Sequence, residues 1–260
     1  KFVIPILSGH MGGANALAYR LAEGIHAVPV ITTATDIRGC FAVDVFAREN
    51  GLYLTDRKLA KMMSAQVLEG SPIGVFSDIP VCQEEMPGCR LGQAETLNLY
   101  VGIWKREKWE KETWAELLSE KNTLQLVPKC LVLGLGCRKD IASEELKKQV
   151  MEGLCEWNIW PQAVKKLATI NLKKEEKAIR LLCREMNWEQ CLFSSRELAE
   201  AEGKFSYSAF VEKTTGVGNV CERAAALGAG SPLLFGKKIK KGVTMAAAIL
   251  SGQMEKSRCK

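Results

Sequence analysis

Two glycine-rich corners carry the side chains that could do chemistry. In Ser8-Gly-His-Met-Gly-Gly-Ala-Asn15 a hydroxyl, an imidazole and an amide share one turn. Histidine titrates nearest neutrality, so His10 suits general-base work, with the Ser8 hydroxyl beside it. Glycine lets a backbone approach a ligand closely, and the amides of Gly12 and Gly13, just ahead of a helix, would present N–H groups to an anion or oxyanion. Asn15 adds a polar contact. The competing reading is a plain tight turn with His10 a bystander. Ile31-Thr-Thr-Ala-Thr-Asp36 closes the next apolar run, where open α/β sheets collect ligands. Asp36 either orients His10 or acts as a base, or else Thr35 or Asp36 caps the following helix.

The second corner, Gly134-Leu-Gly-Cys-Arg-Lys139, repeats the theme with two cations. Arg138 suits bidentate capture of a carboxylate, and Lys139 adds a point charge. Cys137 invites a nucleophile hypothesis, but no histidine follows it in the chain, which favours a packed thiol. Further on, Thr214, Thr215 and the amides near Gly216 are expected to form another anion cradle before a helix at Asn219. The ribbon Lys237-Lys-Ile-Lys-Lys-Gly242, with Lys241 at its end, adds positive charge but lacks the interleaved aromatics that nucleic acid would want.

Positioning these groups requires strands and helices in alternation. Phe2–Leu7 and Val28–Thr33 read as strands around a helix over Ala16–Ile25, one βαβ unit. Helices are expected over Phe41–Asn50 and Asp56–Glu69, and strands over Ile73–Ile79 and Leu97–Trp104. Pro80–Gly92 reads as a loop, and Lys105–Asn122 as a charge-laced helix face. A second alternation begins with the strand Cys130–Gly134, a turn over Leu135–Asp140 and a helix over Ser143–Trp157, capped by Ser143. It continues with strands at Leu167–Ile170, Cys191–Phe193, Leu233–Phe235 and Val243–Leu250, and helices at Glu175–Asn187, Ser195–Glu202 and Val220–Leu227. The fold class is therefore α/β: two α/β domains with mostly parallel sheets joined by a variable α+β middle region. The boundaries fall at 1–35, 36–125 and 126–260. An apolar run starting at the second residue raises the expectation of further chain ahead of Lys1.

Composition narrows the functions. The chain has 260 residues, 47% hydrophobic, with 36 Lys+Arg against 30 Asp+Glu for a net +6. That excludes a disordered tail and tilts the molecule toward acidic ligands. No apolar stretch reaches the roughly 18 residues a membrane helix needs. Ten cysteines without a C-x-x-C pair, beside two histidines, argue against a disulfide scaffold or a structural zinc site. A reduced, cytoplasmic protein is expected. A nucleotide-phosphate reading of Gly12-Gly13 ranks low, because both G-x-G-x-x-G and G-x-x-x-x-G-K-[ST] are missing.

Taken together, S-G-H-M-G-G-A-N, I-T-T-A-T-D and F-A-V-D resemble the first half of the cobalt-precorrin-5A hydrolase (CbiG) family of anaerobic cobalamin biosynthesis. G-L-G-C-R-K, T-I-N-L-K, S-A-F-V-E-K-T-T-G-V-G-N-V-C-E-R-A-A-A and the final G-V-T-M-A resemble its C-terminal domain. The resemblance implies a hydrolase that opens a δ-lactone with water and releases a two-carbon unit as acetaldehyde, leaving cobalt-precorrin-5B. It implies no cofactor beyond the cobalt carried by a polycarboxylate corrinoid substrate, and no nucleic-acid or membrane partner. A second copy of the chain or other enzymes of the pathway are the protein partners to expect. A corrinoid-binding or carrier protein without catalysis is the alternative class, and Arg138 rather than His10 would then matter most.

Overall fold

The computed structural model describes residues 14–29, 40–79, 86–105, 118–119 and 121–251. The strand expected over Phe2–Leu7, and all but Val28 and Pro29 of the one expected over Val28–Thr33, lie outside them. The described residues divide into two compact units, one within 1–102 and 111–127, the other within 103–110 and 128–260.

The first unit runs α1 (Ala14–Gly24), α2 (Val43–Glu49), β1 (Leu52–Leu54), α3 (Arg57–Leu68), β2 (Ile73–Ser77), β3 (Cys89–Leu91), β4 (Asn98–Val101) and β5 (Thr123–Pro128). Helix α3 starts where the sequence says it should. Asp56 accepts from the amides of Lys58 at 2.6 Å and Leu59 at 3.1 Å, and so satisfies donors that the first helical turn leaves open. Leu59, Ala60, Met63 and Val67 form its buried stripe. Strands β4 and β5 are buried throughout and β2 nearly so, the pattern of a parallel sheet covered on both faces. The strand order is β1-β5-β4-β2-β3, with β2–β3, β2–β4 and β4–β5 parallel. Two differences from the sequence reading are clear. Cys89–Leu91, expected in a loop, pairs with β2. Leu52–Leu54 and Thr123–Pro128 form strands that were not expected. The short return from β3 to β4 lies against β2 at Gly74, where a β-carbon would overlap the Gln93 carbonyl oxygen.

In the second unit β6 (Leu131–Cys137), α4 (Ser143–Glu156), β7 (Val164–Ile170), α5 (Lys177–Met186) and β8 (Glu189–Phe193) alternate. They are followed by α6 (Ser195–Glu200), α7 (Ala209–Thr215), α8 (Cys221–Ala229), β9 (Leu233–Lys240) and β10 (Val243–Ile249). The order β8-β7-β6-β10-β9 combines parallel β6, β7 and β8 with an antiparallel pair. Lys241 and Gly242, at φ 41 and 80, make the two-residue turn that lets β10 run back beside β9. Side chains alternate across the sheet. Val132, Ala168, Ala246 and Ala248 share a cluster with Ala224, Ala225 and Ala229 of α8. Met245 faces the other way, toward Gly153 of α4, whose missing side chain makes room for its sulfur. The helix at Ser143 is capped by position rather than by a hydroxyl: Ala142 is the flanking residue and makes no side-chain cap bond.

Candidate functional site

The parallel strands of the second unit end at one edge, and three of the expected binding residues, Arg138, Lys139 and Lys241, gather there. Gly134 and Gly136 are not part of a ligand turn. Both lie within β6. A β-carbon on Gly134 would overlap the Cys221 carbonyl oxygen and come within 2.9 Å of Ala225 Cβ, so this glycine is needed for α8 to seat on the sheet. The turn proper is Arg138-Lys139-Asp140. The Arg138 amide donates to the Gly242 carbonyl at 3.3 Å, which places the β9–β10 turn and Lys241 beside the end of β6. Arg138, Lys139 and Lys241 therefore share one rim, and all three are exposed.

What holds that rim was missed in the sequence. Asp140 adopts a left-handed conformation (φ 54) and its amide donates to Glu176 Oε2 at 3.3 Å. The same carboxylate receives Lys173 Nζ at 3.0 Å, in a pair whose side chains are only 7% and 16% exposed. Lys173 closes the T-I-N-L-K block after β7, so the corner after β6 is tied to the corner after β7. Arg138 Nη2 meets Glu145 Oε2 of α4 at 2.7 Å while its side chain stays 59% exposed, an arrangement that aims the guanidinium without hiding it. Burial pushes the Cys137 thiol up, opposed by the nearby Lys173 and reinforced by Glu176, which disfavours the thiolate that a nucleophile needs.

The expected cradle at Thr214–Gly216 is corrected by the structure. This stretch is the carboxyl end of α7, not a loop before a helix. The Thr214 hydroxyl donates to the Phe210 carbonyl at 2.9 Å, and that of Thr215 to Val211 at 2.8 Å. Gly216 caps the helix at φ 78. The Thr215 carbonyl itself accepts from Ser195 Oγ at 2.6 Å. A helix carboxyl end presents carbonyls and partial negative charge, the opposite of what an anion requires. The anion cradled nearby is the protein's own. Glu222, 5% exposed, accepts from the Ser206 amide, Asn219 Nδ2 and the Lys237 amide, each at 2.7 Å. The N-x-x-E spacing of Asn219 and Glu222 was the available signal. The basic ribbon is also partly consumed. Lys238 reaches Glu156 at 2.6 Å and Lys240 reaches Glu152 at 3.4 Å and Glu156, all on α4. Lys241 is the member left at the rim.

Ser8, His10, Gly12, Gly13 and Asp36 lie outside the described residues. Asn15 is placed only as the second residue of α1, and its side chain lies outside them too. Among the described residues no group of three or more His, Cys, Asp or Glu side chains could hold a metal ion. No helix there is long and apolar enough to cross a membrane.

Comparison with known proteins gives this geometry a context. Three family profiles match in chain order: Cobalamin synthesis G N-terminal over residues 1–36, Cobalamin biosynthesis central region over 41–100 and Cobalamin synthesis G C-terminus over 131–248. The chain is 30% identical over 258 residues to the cobalt-precorrin-5A hydrolase of Salmonella typhimurium, covering 96% of this chain and 72% of that protein. It is 29% identical over 261 residues to the protein of the same name from Priestia megaterium, covering 95% and 68%. Among solved structures it is similar to CobE, a protein from the cobalamin biosynthetic pathway, at 27% identity and a TM-score of 0.44, covering 48% of this chain and 92% of that one.

Proposed function

Because the chain belongs to the cobalt-precorrin-5A hydrolase (CbiG) family, we propose that it hydrolyses cobalt-precorrin-5A to cobalt-precorrin-5B and acetaldehyde in cobalamin biosynthesis. The observation that carries this reading is the 30% identity to a named hydrolase across 96% of the chain. Water adds to the lactone carbonyl, the ring ester opens to an acid and a hydroxyl, and the two-carbon unit then leaves as acetaldehyde. Activating the water takes a base, and the tetrahedral intermediate needs donors for its oxyanion. His10 is assigned the first role, with Asp36 and Ser8 orienting it. The amides at Gly12 and Gly13 take the second, with Asn15 beside them. Arg138, Lys139 and Lys241 hold substrate carboxylates, since their cationic groups are exposed on one rim while Glu145 steadies Arg138.

The cobalt belongs to the substrate, and we assign the protein no cofactor of its own. Cys89, Cys130, Cys137, Cys183, Cys191 and Cys221 are free thiols, which supports work in the reducing cytoplasm. Anaerobic incubation of the protein with cobalt-precorrin-5A, with acetaldehyde assayed against time, tests the reading. The wild-type chain releases acetaldehyde, and His10→Ala slows release by ~10²-fold or more. A wild-type chain that binds the corrinoid and releases nothing overturns the assignment.

A further inference from the structure

Two proton transfers are built into the proposed reaction: one from water as the lactone opens, one from the new hydroxyl as the carbon–carbon bond breaks. His10 accounts for the first. The structure offers a second acceptor in the first unit, at a position the sequence did not mark. The chain leaves β2 toward β3 and leaves β4 toward β5, on opposite sides in the strand order. The carboxyl ends of β2 and β4 are therefore the topological switch point, the place where open parallel sheets take their ligands. Asp78 stands there, exposed, immediately after β2.

It is held unusually well for a surface carboxylate. Its amide donates to the Val101 carbonyl at 3.0 Å. Ser77 Oγ bonds the Val101 carbonyl at 3.1 Å and accepts from the Ile79 amide at 3.2 Å, pinning the residues on either side. The hydroxyl of Tyr100, whose ring is fully buried, donates to Asp78 Oδ2. Gly102 completes the arrangement. A β-carbon there would overlap the Tyr100 hydroxyl and lie 2.6 Å from Asp78 Oδ2, so the pair occupies the space a side chain would need. Fixing a group's backbone and side chain before substrate arrives is what a positioned catalytic acid or base requires.

We propose that Asp78, oriented by Tyr100, accepts the hydroxyl proton in the carbon–carbon cleavage that follows lactone opening. The proposal rests on the hydrolase reading. As the proton passes to Asp78, the oxygen's electron pair becomes the carbonyl bond of acetaldehyde. The bond to the macrocycle breaks, and its electron pair goes to the macrocycle carbon, which takes back one proton. No oxidant or reductant enters. Asp78 is the catalytic residue and Tyr100 a positioning residue.

Single-turnover reactions with cobalt-precorrin-5A, following acetaldehyde and the macrocycle's mass together, test it. Asp78→Asn, which conserves size on an exposed residue, releases acetaldehyde ~10²-fold more slowly and accumulates a macrocycle that has gained one water and kept its two-carbon unit. Tyr100→Phe accumulates the same species with a smaller rate loss. Wild-type release by Asp78→Asn overturns this proposal alone, as does equal slowing of both steps without the intermediate. A wild-type chain that consumes no substrate overturns the hydrolase reading and this proposal with it.

Discussion

At the carboxyl ends of β6 and β7 the side chains are cations with acidic supports: Arg138 on Glu145, Lys173 on Glu176, and Lys139 and Lys241 alongside. At the carboxyl ends of β2 and β4 they are Ser77, Asp78 and Tyr100, a hydroxyl, a carboxylate and a phenol in one hydrogen-bonded set. Both edges belong to parallel strands with covered faces, so the backbone physics is shared. What differs is the chemistry each can do. The cationic edge can bind carboxylates, its acids being tied to Arg138 and Lys173 or set beside them, and its Cys137 thiol is pushed up by burial. The other edge can exchange a proton and would repel a carboxylate. Under the proposed function, binding and proton transfer fall to different sheets of one chain.

The glycines sharpen the contrast. At Gly134 the place of a β-carbon is taken by the backbone of α8, and at Gly102 by the Tyr100–Asp78 pair. Gly134→Ala must push a packed helix off its strand, an overpacking cost of about 3 kcal/mol, at the upper end of the usual range. It shows as a lower urea midpoint for the second unit. Gly102→Ala displaces side-chain atoms instead, and slows acetaldehyde release by ~10-fold or more, as loss of a positioned acceptor predicts. If Gly102→Ala alters only stability, the edge at β2 and β4 is packing, like the one at Gly134.

Next in size, removing a charge-assisted contact at the rim costs about 1.4 kcal/mol. Arg138→Ala and Lys241→Ala therefore each raise KM for cobalt-precorrin-5A by ~10-fold, and the effect shrinks as salt is added. A salt-independent loss would mean Arg138 acts through its packing.

The smallest effect is alkaline. Burial pushes Cys130 up to about 12 and Cys183 and Cys221 up to about 11, all in the second unit, against Cys89 at about 12 in the first. The unfolded chain ionises these thiols near the ordinary value of 9.0, before the folded chain does. Their contribution is complete below pH 9 and declines as pH rises from about 9 toward 11–12. The second unit, with these three thiols and Cys137 also pushed up, loses more stability over that window than the first. Chemical denaturation of each unit at pH 8 and pH 10 checks it.

Much of this could be read from the residues alone, where local signals suffice. Helix α3 is announced by Asp56 and its apolar stripe, α4 by Glu144 and Glu145 in its first turn, and β6 by its apolar run. Local signals fall short where partners are distant or elements short. Strands β1 and β3 have three residues each, too few for an alternation to register. Helix α7 lies inside the stretch expected to cradle an anion, because Ser206–Gly218 is rich in turn residues. Its Ser208 N-cap and left-handed Gly216 were the overlooked markers. The Lys237–Lys241 ribbon was visible as charge, but its acids sit on α4, more than 80 residues away. Asp78 and Tyr100 belong to no motif. They meet only because β2 and β4 pair in register, a fact of topology that no window of sequence contains.

Steady-state kinetics of Arg138→Ala and Asp78→Asn, side by side on cobalt-precorrin-5A, test the division of labour most directly. The account predicts a raised KM with kcat nearly kept for Arg138→Ala, and a lowered kcat with KM nearly kept for Asp78→Asn. Both variants shifting the same parameter would contradict it.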